Sequence, residues 1–127
     1  MTVKTLTGPD FESTILANQI VLVDFWAPWC GPCRAFAPVF ERSAQNHPDI
    51  VYAKVDTDTE GELAATVGIR SVPTLMAFRE GILIYSQPGA MSPAVLDNLI
   101  DQIKDLDMAT VRTKIAERKA AVKTASR

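Results

Sequence analysis

Cysteine and histidine are nearly missing from this sequence of 127 residues, which holds two cysteines, Cys30 and Cys33, and one histidine, His47. A structural zinc site takes four ligands, mostly cysteine and histidine. The only histidine stands beside Pro48 in a turn, so a zinc site within one chain lacks donors, and no metal is expected. Long apolar runs are also missing: none approaches the roughly 18 residues of a membrane span, and no membrane partner is expected. The N-terminus has no basic stretch followed by an apolar core and a small-residue cleavage site. A cytoplasmic setting is therefore expected, where a lone cysteine pair is more often catalytic than a staple. There is no glycine-rich phosphate loop and no interleaving of basic and aromatic residues, so no nucleic-acid partner is expected. Internal repeats and low-complexity segments do not occur.

What is present centres on one stretch, Trp26-Ala27-Pro28-Trp29-Cys30-Gly31-Pro32-Cys33. The preceding run from Ile20 to Trp26 has strand length and composition. Beyond it, Phe36, Val39, Phe40 and Ala44 recur at helical spacing. The cysteines thus fall where a buried strand hands over to a helix. Unpaired N–H groups and partial positive charge at a helix start favour thiolate over thiol. Cys30 is expected to be exposed there, and Cys33, one turn inside, more shielded. As a structural staple the pair would close a very small loop and constrain little of the unfolded chain. A reversible dithiol/disulfide couple fits best, since C-x-x-C beside a strand-to-helix pattern is a redox signature.

These eight residues resemble the active-site motif of the thioredoxin family. Further matches stand at the family's spacing: Asp24 in the preceding strand, Pro38 inside the helix, Lys54, the segment Gly68-Ile69-Arg70-Ser71-Val72-Pro73-Thr74, and Gly81 and Gly89. The resemblance covers residues 1–107, expected to form a thioredoxin domain, and leaves 108–127 as an extension. It implies a general protein-disulfide reductase with a Cys30–Cys33 redox disulfide, Cys30 as nucleophile and Cys33 as resolving thiol. It also implies no bound cofactor, electrons from NADPH through a thioredoxin reductase, disulfide-containing target proteins as partners, and a monomer. The Val72–Pro73 bond would be cis and serve as a docking ledge, with Trp29, Gly89 and Ala90 completing an apolar rim. An ordinary strand-entry proline is the plainer reading of Pro73.

The residues themselves add to this. Asp24 lies in an otherwise apolar strand, where desolvation raises a carboxyl pKa and makes it a better base near neutrality. It is the candidate proton acceptor for Cys33. Lys54 on a neighbouring strand would oppose that shift, and a buried ion pair without catalytic duty is the alternative. Gly31 and Pro32 offer the thiolate neither charge nor side-chain donor, so the dithiol is less stabilised and the couple more reducing. A thiol oxidase or isomerase, or a non-catalytic binding or chaperone subunit on the same fold, remain as rival readings.

Strands are expected at 3–6, 20–26, 50–56, 74–79 and 82–86. Helices are expected from Thr7-Gly8-Pro9-Asp10 to Asn18-Gln19, from about Cys30 to Asn46, around Leu63 to Val67, and from Ser92-Pro93 with the stripe Leu96, Leu99, Ile100, Ile103 and Leu106. Alternation demands parallel strands, and the hairpin at Glu80-Gly81 adds antiparallel ones. The expected class is α/β: a central mixed sheet with helices on both faces, plus a C-terminal helical extension. Phe11, Phe25, Phe36, Phe40 and Phe78 read as core, and Trp26 as packing beside the site. Residues 1–107 carry 7 Lys/Arg against 14 Asp/Glu, and residues 108–127 carry 6 against 1. The basic extension is expected to be a thinly apolar helix, frayed near Ser126, with a solvated cationic face as its simplest meaning.

Overall fold

The structure, a computed structural model, describes residues 3–125. The chain divides into two compact units, Met1–Asp97 and Asn98–Arg127. Its elements run β1 (Val3–Thr5), α1 (Gly8–Ala17), β2 (Ile20–Trp26), α2 (Gly31–Asn46), β3 (Val51–Asp56), α3 (Gly61–Thr66), β4 (Thr74–Arg79), β5 (Ile82–Pro88), α4 (Pro93–Asp105) and α5 (Met108–Ala125). The order matches the expected one. Boundaries move by a residue or two: Leu6 and Ile50 fall outside their strands, and β5 runs on to Pro88.

The five strands form one mixed sheet in the order β1-β3-β2-β4-β5. β1 and β2 pair with β3 in parallel, while β4 runs antiparallel to β2, and β5 to β4. The strand leading to the dithiol therefore lies at the centre, with both its hydrogen-bonding edges occupied. Such a strand must be apolar on both faces, because helices cover both. Val21, Val23 and Phe25 point to the layer of α1 and α3, where they meet Phe11, Ile15, Ala53, Val55 and Phe78. Phe11 packs on Phe25 and edge-on to Phe78. Leu22 and Asp24 alternate to the opposite face, the side of α2. There Phe40 packs between Phe36 and Tyr52, and Tyr52 shares a 2.7 Å hydrogen bond with Ser43. All five phenylalanines are buried.

Two short features aim the chain. α1 opens on a capping box, in which the Thr7 N–H donates to Asp10 at 2.6 Å. The β4–β5 turn places Glu80 and Gly81 at φ 52° and 81°. These are the positive values a two-residue primed hairpin turn requires.

In the second unit, Ile100 and Ile103 are buried. Leu106, expected on the α4 stripe, instead falls in the break between α4 and α5. Asp107 caps α5: its Oδ1 accepts the Ala109 and Thr110 N–H groups at 3.1 and 3.4 Å. The extension is thus a separate helix following α4. The fraying expected near Ser126 lies outside the described residues. Among the described residues no helix is long and apolar enough to cross a membrane.

Candidate functional site

Cys30 is the residue that caps α2. The chain leaves β2 at Trp26, turns through Ala27-Pro28-Trp29, and closes the turn with a 3.2 Å bond from the Cys30 N–H to the Ala27 carbonyl. Cys30 keeps an extended backbone, φ −87° and ψ 113°, and its sulfur accepts the Cys33 N–H at 3.2 Å. That is the contact a thiolate at a helix start needs. Pro32 sits in the first turn, where a missing N–H costs nothing. Cys30 and Cys33 are joined as a disulfide.

The expected difference in exposure between the two cysteines is corrected. Cys30 is only 4% exposed, against 3% for Cys33. A helix start confers exposure only if nothing covers it. Here the segment at Val72 does: the Cys30 sulfur lies 3.6 Å from the Val72 carbonyl oxygen. Ala27, Trp26 and Val72 pack around both sulfurs. Trp29, by contrast, is 67% exposed.

Asp24, in the strand that leads to the dithiol, is 4% exposed, with an Oδ1 that has no hydrogen-bond partner. Burial pushes its pKa up to about 7, against the opposing pull of the Lys54 charge. Asp24 and Lys54 are register partners across β2 and β3 and therefore share the α2 face. They form no ion pair among the described residues. The Lys54 ammonium lies over the Trp26 ring, 5.3 Å from its centroid. Lys54 thus tempers the carboxyl from a distance, while cation–π contact holds its own charge. The Trp26 indole nitrogen is buried without a partner as well.

Next to the Cys30 sulfur, the Val72–Pro73 bond is cis. The Pro73 carbonyl accepts the Gly89 N–H at 2.8 Å, which ties the end of β5 to the ledge. Gly89 has φ 109°, a backbone that side chains disfavour. Ala90 follows it, exposed. Trp29 and Val72 also line a groove of about 290 Å³ with Thr57, Ile69, Arg70 and Ser71.

Two residues of this site were not anticipated from the sequence. Asp58 accepts the Trp29 indole N–H at 3.2 Å and so steadies an otherwise exposed ring. Arg34 donates to the Pro28 carbonyl at 2.9 Å and braces the turn before Cys30. Neither carries a local signal, since each acts on a backbone or ring that only the fold brings near. Among the described residues no group of three or more His, Cys, Asp or Glu could hold a metal ion.

Comparison with known proteins agrees with this geometry. The thioredoxin family model matches residues 2–105. A putative thioredoxin 2 of Streptomyces coelicolor is 49% identical over 115 residues, covering 91% of this chain and 86% of the relative. Thioredoxin 1 of Synechococcus elongatus is 46% identical over 99 residues, covering 76% and 92%. Among solved structures, a mutant thioredoxin from Halobacterium salinarum superposes with a TM-score of 0.77 at 34% identity, covering 83% of this chain and 93% of that one. The oxidised thioredoxin of Plasmodium falciparum gives 0.72 at 34% identity, covering 80% and 97%.

Proposed function

The chain belongs to the thioredoxin family and is a thiol-disulfide oxidoreductase that reduces protein disulfides through Cys30 and Cys33; from that premise we propose how its residues divide the work. Cys30 is the nucleophile. Its thiolate, held by the Cys33 N–H, attacks a sulfur of the target disulfide. A Cys30–target disulfide forms, and the first target sulfur leaves as thiolate and takes a proton from water. Cys33 then gives its proton to Asp24 and attacks the Cys30 sulfur. The second target thiolate leaves, the Cys30–Cys33 disulfide closes, and two electrons have passed to the target. Holding both thiols in one chain makes this second step unimolecular.

Asp24 acts as proton acceptor because burial brings its pKa to about 7, where carboxylate and acid coexist at neutral pH. Lys54 keeps that value from rising further. Gly31 and Pro32 set direction by giving the thiolate no side-chain partner, which favours the reducing over the oxidising role. Val72 and Pro73 present backbone to an extended target segment, as an added strand would be held. Trp29, Gly89 and Ala90 form the flanking rim.

Residues 1–107 are the catalytic domain and 108–127 an extension. The protein works as a cytoplasmic monomer without a bound cofactor, and is recharged by NADPH through a thioredoxin reductase. The observation that carries this reading is the Cys30–Cys33 pair at the start of α2, with a buried carboxyl of raised pKa in the strand that leads to it. Insulin-disulfide reduction with NADPH and a thioredoxin reductase tests it. Catalysed turnover is expected, and an inert protein would overturn the assignment.

A further inference from the structure

The dithiol chemistry leaves α5 without a task. Of its 18 residues, Met108 is buried and Val111 and Ile115 are half-buried, whereas every residue from Ala116 to Thr124 is exposed. Apart from Thr124, whose hydroxyl donates to the Ala120 carbonyl, the exposed half is built of alanine, lysine, arginine and glutamate, which favour helix without burial. Val122 breaks that rule. It is the one β-branched residue between Ala116 and Lys123, it lowers helix propensity, and it is 64% exposed.

At about 100° per residue, Val122 continues the stripe of Met108, Val111 and Ile115. Arg112, Lys119 and Lys123 lie along one flank of that stripe, and Lys114 and Arg118 along the other. Alanines, threonines and Glu117 fill the opposite side. Apolar centre and positive charge therefore share one half of the helix, and the two flanks enclose the stripe.

We propose that the exposed half of α5 is a docking helix for a partner protein whose groove has an apolar floor and acidic rims. The helix offers an apolar pin, Val122, with Arg118, Lys119 and Lys123 around it. Duplex nucleic acid would meet the cations but gives a valine nothing to pack on. A lipid surface rewards large apolar faces and interfacial aromatics. Residues 108–127 contain no Phe, Tyr or Trp, and one exposed valine inserts little. A helix lying in a protein groove satisfies both the pin and the flanks. None of these residues belongs to the dithiol site, and the test stands apart from that of the reductase reading.

The test titrates the full chain, at near-physiological salt, against four probes: a random glutamate–leucine copolymer, poly-L-glutamate, a short DNA duplex and phosphatidylserine vesicles. The copolymer should bind about tenfold tighter than poly-L-glutamate, the worth of burying one valine. Val122→Ala should erase that preference while keeping the helix by circular dichroism. The pair Arg118→Glu and Lys119→Glu should weaken both acidic probes at least tenfold. Insulin turnover should be unchanged in every variant. Tighter binding of duplex or vesicles than of copolymer, equal binding of the two acidic polymers, or binding that ignores the variants would overturn the proposal.

Discussion

At the scale of single residues, Asp24 governs how the protein responds to pH. Its carboxyl has an ordinary pKa of 3.8 in the unfolded chain and one of about 7 in the folded one. The native state therefore binds the proton more tightly. Stability falls as pH rises from about 4 to about 7 and levels off above that, with a total loss on the order of 4 kcal/mol. Asp24→Asn keeps the shape and removes the charge. Its urea melts should be flat across this window, near wild type below about pH 4 and clearly more stable at about pH 8. Parallel curves for the two proteins would show that the carboxyl is not desolvated as described. The same variant should turn over more slowly near neutrality, because Cys33 loses its proton acceptor. Cys33→Ser isolates the other half of the sequence of steps. Attack through Cys30 survives but resolution does not, so a Cys30–target adduct should accumulate. Non-reducing electrophoresis with peptide mapping would reveal it, and failure to find any adduct with a competent target would remove Cys30 as nucleophile.

At the scale of elements, what was legible in the sequence was what local pattern encodes. The run from Ile20 to Trp26 is apolar on both faces because β3 and β4 flank it and helices cover it, so its central place could be read directly. Glu80-Gly81 announces its turn because few residues tolerate φ values of 52° and 81°. Gly81→Ala tests that turn. Its added Cβ would lie 3.2 Å from a Leu16 methyl as well as at positive φ. The expected cost is about 1–2 kcal/mol in urea melts, with turnover unchanged. The covering of Cys30 was not legible, because Val72 is 42 positions away in sequence. Nor was the Trp29 anchor on Asp58, 29 positions away. Contacts between distant segments leave no periodicity to read. The break at Leu106 escaped for a different reason: the apolar stripe continues through it, and the cap at Asp107 is a local side-chain bond that outweighs the stripe.

For the molecule as a whole, charge is unevenly shared along the chain. The family match ends at residue 105, close to where the sequence turns from acidic to basic. Truncation after Asp107 should leave insulin turnover within about twofold of the full chain but lower stability by about 2–3 kcal/mol, since it removes buried Met108 with half-buried Val111 and Ile115, while the second half of α5 buries almost nothing. A truncated protein that is unfolded, or inactive with every substrate, would show the extension to be integral to the fold or to catalysis. Added salt should have little effect on turnover with either length of chain, because the reacting sulfurs are buried and exposed charges are screened within about 8 Å at physiological ionic strength.

The position of the two indoles has an optical consequence. Trp26 and Trp29 are the only tryptophans in the sequence, and both lie within four positions of Cys30. All indole light therefore comes from beside the sulfur pair. A disulfide accepts an electron from an excited indole and darkens it, whereas two thiols do so far less. Emission should brighten when the pair is reduced and dim when it is oxidised. The protein would then report its own state in real time without a dye, and Trp29→Phe would show how much of that signal comes from the exposed ring.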